Sequence, residues 1–428
     1  MSESAEKSRP KAIDGKITDE DIARQRAQIG VPQNVREQNF NRQVSEDVIR
    51  HFAFGMVADD NPLWHEPEYG AKTRWRGQIA PPLFVTTTGL NETPPYTPEQ
   101  KALFKGLYRG VGRYNVGTRW RIFQPIRAGD QLYTDMCVDD VQVKESSSFS
   151  GSRTVLERYR HLYVNKNGEP VAVRYESFVN AERGGSKKVS KHAGLKRHVY
   201  TPEEIEAIDK LYAAEEIRGA EPRWFEDVAV GDKIVPVVKG PFGLVEVIGA
   251  HLGWGLGPNY GGGPMRYTWK VRQRMPNFYS EDKWGVPQSM MRVHWDETRA
   301  QDLGLPAPYD YAQMRSNWTV HAVTNWMGDD AWLAGLHTEA RMFNFHGDTT
   351  VFTGQVAEKR VEGPHHIVEL DIKGTNQRQE VTMIARATVI LPSRDKGPVI
   401  LPDRDLELTR RGVQMMVDAA KRVAEKSR

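Results

Sequence analysis

His294 to Ala312 reads HWDETRAQDLGLPAPYDYA, and this stretch decides how the chain is read. Asp296 is suited to cap a helix running through Ala300 to Leu303, and Gly304 to end it. Pro306 and Pro308 then impose an extended stretch before a second helix opens near Ala312. A helix start presents unpaired N–H groups and the positive end of the dipole. His294 therefore faces a ready site for a developing oxyanion, the outline of acid/base chemistry on a carbonyl compound.

A first copy of the same element lies upstream. Asp59, Asp60, Asn61, Pro62, Leu63, Trp64, His65, Glu66 and Pro67 are followed by Gly77-Gln78-Ile79-Ala80-Pro81-Pro82. The repetition continues: Arg121 to Pro125 leads to Gly129-Asp130, and Arg341 to Phe345 leads to Gly347-Asp348. After each Gly-Asp turn comes an alternating segment, Gln131 to Val143 and Thr349 to Val361, that reads as a strand. Arg158 to Asn165 with Pro170 to Asn180, and His366 to Lys373 with Glu380 to Leu391, supply further strand pairs around turns at Lys166-Asn167-Gly168 and near Asn376. Antiparallel strands after one long helix make an α+β layer structure.

These residues resemble the MaoC-like and FAS1-like dehydratase family, the double-hotdog (R)-specific enoyl-CoA hydratase type. Its signature runs D-x-N-P-x-H, then D-x-x-x-A, then a turn with Gly. The match falls on His294, Asp296, Ala300, Pro308 and Ala312, with Ala312 where the family has its Gly. The resemblance implies a tandem hotdog, each copy a curled antiparallel sheet wrapped around a central helix. Those helices are expected to start near Pro82 and near Ala312, the second running through Gln313 to Trp326. It also implies an acyl-thioester hydratase or dehydratase that adds or removes water across C2–C3 of an enoyl-CoA or 3-hydroxyacyl-CoA. His294 would be the proton carrier and the Ala312 N–H the oxyanion donor.

Ser289 stands where the family has Asp. Asp310 is the first substitute for the missing acid and Asp296 the second, although helix capping competes for both; Ser289 itself would position a water. Trp318 and His321, at helical spacing with Met314 and Thr324, read as a core stripe or, by the resemblance, as an acyl-pocket wall, and Arg315 is placed with them as substrate-binding. In the first copy Trp64 occupies the histidine position and Pro82 the glycine position. An indole does not exchange protons as an imidazole does, and proline has no N–H. That copy is expected to be non-catalytic. Asp59 and Asp60 organise the Asn61-Pro62 turn or reach the neighbouring copy, and His65 reads as structural or rim-exposed.

The 428 residues suffice for two domains. The expected boundaries are a mobile tail at 1–18, the first hotdog at 19–183, a linker with a Thr201-capped helix at 184–222, the second hotdog at 223–395 and an extension with a surface helix at 396–428. In that helix Val413, Met416, Val417 and Ala420 form the packing face.

Fifty-nine Lys+Arg against 56 Asp+Glu leave a charge of +3, scattered along the chain, so nucleic-acid binding has no support. A single cysteine, Cys137, excludes an intrachain disulfide and a cysteine-based zinc site, and His365 and His366 beside Gly363-Pro364 complete no ligand set; no metal is assigned. No apolar run reaches about 18 residues and the N-terminus lacks a signal-peptide core, so a cytoplasmic location is expected. No cofactor is expected beyond coenzyme A as part of the substrate. Expected partners are an acyl-CoA or carrier-protein thioester, with a homodimer or a related hotdog subunit left open. The Gly253 to Gly263 run fits no nucleotide motif and reads as a loop. Lys187, Lys188, Lys191, Lys196 and Arg197 read as a solvated linker or a cationic rim for CoA phosphates. A non-catalytic thioester-binding subunit and a hotdog thioesterase are the alternative functions.

Overall fold

The computed structural model describes residues 15–34, 39–146, 151–182, 195–255 and 265–426. The glycine run beyond Gly255, Lys187, Lys188, Lys191 and most of the expected tail lie outside them. Twelve strands follow in chain order: β1 (Leu90–Asn91), β2 (Gly112–Ile122), β3 (Tyr133–Lys144), β4 (Thr154–Val164), β5 (Pro170–Ala181), β6 (Val237–Lys239), β7 (Tyr279–Glu281), β8 (Pro287–Ser289), β9 (Trp332–Ala340), β10 (Thr350–Glu362), β11 (His365–Asn376) and β12 (Val381–Ile390). Ten of them form one sheet in the order β1-β3-β4-β5-β2-β9-β12-β11-β10-β6, and β7 and β8 make a separate hairpin. The order in one half, 1-3-4-5-2, repeats in the other as 6-10-11-12-9. This is the tandem hotdog, an α+β fold in which two five-stranded layers share one continuous sheet.

The halves join at β2 and β9, which pair antiparallel from Gly117 opposite Glu339 to Arg121 opposite Gly335. Neither strand was read from the sequence as a seam, although in β2 buried Thr118, Trp120 and Ile122 alternate with exposed Arg119 and Arg121. At the seam Thr118 Oγ1 and Thr338 Oγ1 are 3.0 Å apart, and the Thr338 hydroxyl also lies 3.2 Å from Ser316 Oγ. A Cβ on Gly117 would strike the Thr338 carbonyl.

Ser316 belongs to the central helix of the second half, Ala312–Met327, of which 14 of 16 residues are buried. Half of its residues are polar, and Ser316, Asn317, Thr319 and Thr324 satisfy their side chains by donating to carbonyls four residues back in the same helix, which lets it be enclosed by sheet. In the first half the helix expected from Pro82 does not form. Phe84–Thr87 make one 3-10 turn, and the chain then extends into β1, which runs parallel to β3. The β-branched run Val85-Thr86-Thr87-Thr88 disfavours helix, Gly89 sits at φ +108°, and Pro94-Pro95 follow.

The second half supplies the cover. Its helix Leu244–Trp254 crosses the Glu46–Phe52 helix and the Ala53–Val57 turn that continues it. The crossing is backbone to backbone: a Cβ on Gly55 would collide with the Gly249 carbonyl, and one on Gly253 with the His51 carbonyl. Trp254 Nε1 donates to the Thr86 carbonyl at 3.0 Å, and the Thr87 hydroxyl donates to the Trp254 carbonyl.

The C-terminal helix, Leu406–Lys426, packs on β4 and β5 of the first half. Its inner face is Leu408, Met415, Met416 and Ala419, against Phe123, Leu162, Val164 and Val173. The face expected from the sequence is corrected here, since Val413 and Val417 are exposed. Gly412 faces the Gly168 turn so closely that the helix is rotated to suit that contact. His365 and His366 open β11 rather than sitting in the turn, His365 Nδ1 bonding to the Ile400 carbonyl.

The glycine crossing gives a direct test. Gly55→Val is expected to destabilise the protein by about 3 kcal/mol, read as a lowered urea midpoint, because backbone on the facing helix has no rotamer with which to yield.

Candidate active site

His294 ends a 3-10 turn, Met290–His294, that leaves the β7–β8 hairpin. Arg292 ties the turn to that hairpin, its Nη2 donating to the Glu281 carbonyl at 2.9 Å and to Ser280 Oγ at 3.2 Å. The imidazole is 7% exposed. Its Nδ1 lies 2.8 Å from the Tyr309 carbonyl. A carbonyl only accepts, so Nδ1 carries the proton and Nε2 keeps its lone pair. The ring lies against Tyr311, centroids 3.9 Å apart and planes 32° apart, with Tyr309 at 4.7 Å. Tyr311 is the N-cap residue of the central helix and Ala312 its first helical residue. The imidazole and the helix start thus share one neighbourhood.

Two further histidines complete it. His346 Nε2 donates to the His294 carbonyl at 3.0 Å, and His251, half-buried at the end of the Leu244–Trp254 helix, places Nε2 2.8 Å from the Tyr311 hydroxyl. Burial holds His294 and His251 down to about 4 and lowers His346 as well. All three are neutral at pH 7. Neither His251 nor His346 was singled out in the sequence, since a lone histidine in GAHLGW or NFHGD carries no mark of what it will meet in space.

The other expected site residues lie as follows. Asp310 is buried beneath the helix, its Oδ2 2.8 Å from Arg315 Nε and 3.3 Å from Asn344 Nδ2. Burial pushes its carboxyl up to about 7 against the pull of Arg315. Arg315 also donates to the Met342 and Thr382 carbonyls at 2.8 Å, so it pins the helix to the sheet. Asp296 caps the Glu297–Asp302 helix by accepting from the Arg299 N–H at 3.1 Å. Ser289 closes the hairpin opposite Tyr279 and is buried. Trp318 packs between Phe242 and Phe352.

His321 takes part in a different cluster. Its Nδ1 accepts from Lys239 Nζ at 2.6 Å, and its Nε2 faces Asp59 Oδ1 at 3.4 Å. Asp59 also accepts from the Asn61 N–H and from Trp64 Nε1, both at 2.9 Å. So the first-copy Asp both organises its turn and reaches the other half, while Trp64 holds it where the family has a histidine. His65 bonds to the Asp59 carbonyl at 2.6 Å. Burial lowers Lys239 to about 8, raises Asp59 and lowers His321 well below its ordinary value. Beside this cluster a cavity of about 20 Å³, room for one water, is enclosed by Trp64, Trp75, Pro82 and Trp332. Tryptophans fill the first-copy site. Among the described residues no group of three His, Cys, Asp or Glu is arranged to hold a metal, and no helix is long and apolar enough to cross a membrane.

Residues 27–174 match the family model for the FAS1-like dehydratase domain region. A protein named MaoC-like dehydratase has a similar structure, with TM-score 0.56 and 14% identity over 85% of this chain and 98% of that one. A MaoC domain protein dehydratase from Chloroflexus aurantiacus gives TM-score 0.50 and 14% identity over 84% and 95%. No curated protein matches the sequence. The chain is a double-hotdog protein, and the match to the family model falls within its first copy.

The histidine burial has a pH signature. His294 in the folded state refuses a proton that the unfolded chain binds below 6.5, so its contribution makes stability fall as pH drops from 6.5 toward 4. In His294→Gln the slope of unfolding free energy against pH in that window should be shallower by about 1.4 kcal/mol per pH unit, measured by urea titration.

Proposed function

We propose that the second half is an acyl-thioester hydratase or dehydratase site, with His294 as the base and the Ala312 N–H as oxyanion donor. The observation that carries this reading is the Nδ1 bond to the Tyr309 carbonyl, made by a ring lying on Tyr311 at the start of the central helix. It supports a neutral imidazole with the proton on Nδ1 and a basic Nε2, on a ring that touches the N-cap residue of that helix.

In hydration of an enoyl thioester, Nε2 takes a proton from water as the water oxygen bonds to C3. The C2–C3 electrons move onto the thioester oxygen, and the helix-start amide meets the charge that develops there. The helix adds its dipole. In dehydration the same groups act in reverse. Arg197, whose side chain lies over Gly347 beside His346, is the cation on hand for an acidic CoA or carrier-protein arm.

The binding-subunit reading is favoured by one observation, the low exposure of the His294 ring. Turnover by the purified chain separates the two. Wild type mixed with trans-2-enoyl-CoA thioesters of graded chain length should bleach the conjugated double bond, and His294→Ala should fold and not do so. Binding without bleaching by wild type would make the chain a binding subunit.

Ala312 offers a cleaner test. It is the first helical residue, where proline is well tolerated, and Tyr311 before it is extended at φ −80° and ψ 134°, as a residue before proline must be. Ala312→Pro should keep the wild-type urea midpoint and lose roughly 100- to 1000-fold in kcat, because only the N–H is removed. Unchanged kcat would remove this amide from the mechanism.

A further inference from the structure

We propose that the Met265–Arg274 helix and the tip of the β7–β8 hairpin form a docking surface for a bilayer with anionic headgroups. The surface is independent of the chemistry proposed for His294.

A short helix is held on a protein by burying one apolar stripe. In MRYTWKVRQR only Val271 is buried. The far side of the helix is left in solvent, with Trp269 49% exposed and Arg266, Lys270 and Arg274 exposed beside it. Arg266, Lys270 and Arg274 follow at four-residue spacing and make one row, and Trp269 and Gln273 make the row next to it. A groove of about 330 Å³ along this side is lined by Tyr267, Trp269, Lys270, Gln273 and Arg274, all from the helix itself.

The chain leaves the helix through exposed Met275 and enters the β7–β8 hairpin. Asp282 shapes the hairpin turn by accepting from the Trp284 and Val286 N–H groups at 2.8 and 3.0 Å. The turn presents Trp284, 77% exposed, and exposed Val286, with Lys283 Nζ 5.1 Å from the indole centre. Arg292 ties this hairpin to the turn that carries His294, so a seated tip would bring that turn to the lipid surface.

Charge selects the occupant. Residues 265–289 hold Arg266, Lys270, Arg272, Arg274 and Lys283 against Glu281 and Asp282, a local surplus equal to the formal +3 of the whole chain. Cations interleaved with tryptophan, methionine and valine match the boundary of a bilayer. There anionic headgroups meet the cations, indoles sit at headgroup level and aliphatic groups reach the acyl region. Two other occupants match less of the surface. A coenzyme A arm brings phosphates and a single adenine, which leaves Met275, Val286 and one indole without a counterpart. A second copy of this chain in a two-fold contact would set the same cations against each other.

The test floats the full chain with vesicles of phosphatidylcholine alone and of phosphatidylcholine with one third phosphatidylglycerol. Wild type should bind the mixed vesicles at least about 10-fold more tightly than the neutral ones. Raising salt from about 0.1 M to about 1 M shortens the screening length from about 10 Å to about 3 Å and should release it. That arm needs no variant. Arg266→Glu combined with Lys270→Glu should weaken binding to mixed vesicles roughly 30-fold or more, and Trp284→Ala roughly 10-fold, with urea midpoints unchanged.

Equal binding to both kinds of vesicle, binding to neither, or wild-type affinity in the charge-reversed protein overturns the docking surface. Wild-type dimers that the same variants dissociate, seen by sedimentation without vesicle binding, would give the face to a second copy. Loss of free coenzyme A binding in the charge-reversed protein, with vesicle binding intact, would give it to the thioester arm. Either result removes the bilayer.

Discussion

The seam between β2 and β9 is the constraint on which the rest depends. It turns two five-stranded layers into one sheet, and the Thr338 hydroxyl there joins Thr118 of one half to Ser316 of the central helix. The central helix is thereby registered against both halves at once. Its N-terminus, where Tyr311 lies against the His294 ring, inherits that registration. Arg315, the residue before Ser316, repeats the device through the Met342 and Thr382 carbonyls, with Asp310 as its buried counter-charge. A buried pair of this kind adds little net stability, but losing one partner leaves an uncompensated charge, so it acts on position.

Neither half is complete alone. The first lacks its central helix, and the Leu244–Trp254 helix of the second covers the place. The first copy's Asp59 meets His321 and, through it, Lys239 of the second. The small cavity beside Asn61 in the first copy is walled by Trp64, Trp75 and Trp332, and the family model matches that same copy. Asp59, Asn61 and Pro62 hold a turn there, and Asp59 also holds an interface with the second half. In the second half an imidazole, His294, lies against the N-cap residue of the central helix.

Much of this was legible in the residues. The cap at Asp296, the stop at Gly304 and the start at Ala312 are local, and local signals survive folding. So do the Thr201 capping box and the alternating strands after each Gly-Asp turn. What was not legible is what two distant segments do to each other. The seam strands carry nothing local that names their partner: β2 alternates buried Thr118, Trp120 and Ile122 with exposed Arg119 and Arg121, yet its pairing is with a strand about 200 residues away. The missing helix needed the Val85 to Gly89 run to be weighed against the family pattern. The C-terminal helix turned by the angle that Gly412 and Gly168 require, which no periodicity encodes. His251 and His346 acquire meaning only through their distances to Tyr311 and His294.

The packing of the last helix bears on the order in which the chain is made. Phe123, Leu162, Val164 and Val173 lie on the first half, but their lid, Leu408 with Met415 and Met416, follows the second half in the chain. A ribosome therefore releases the first half with an apolar face bare and keeps it so until residues 406–426 have been made. The interval is the time needed to translate the entire second half, and during it that face is open to holdases and to other nascent chains.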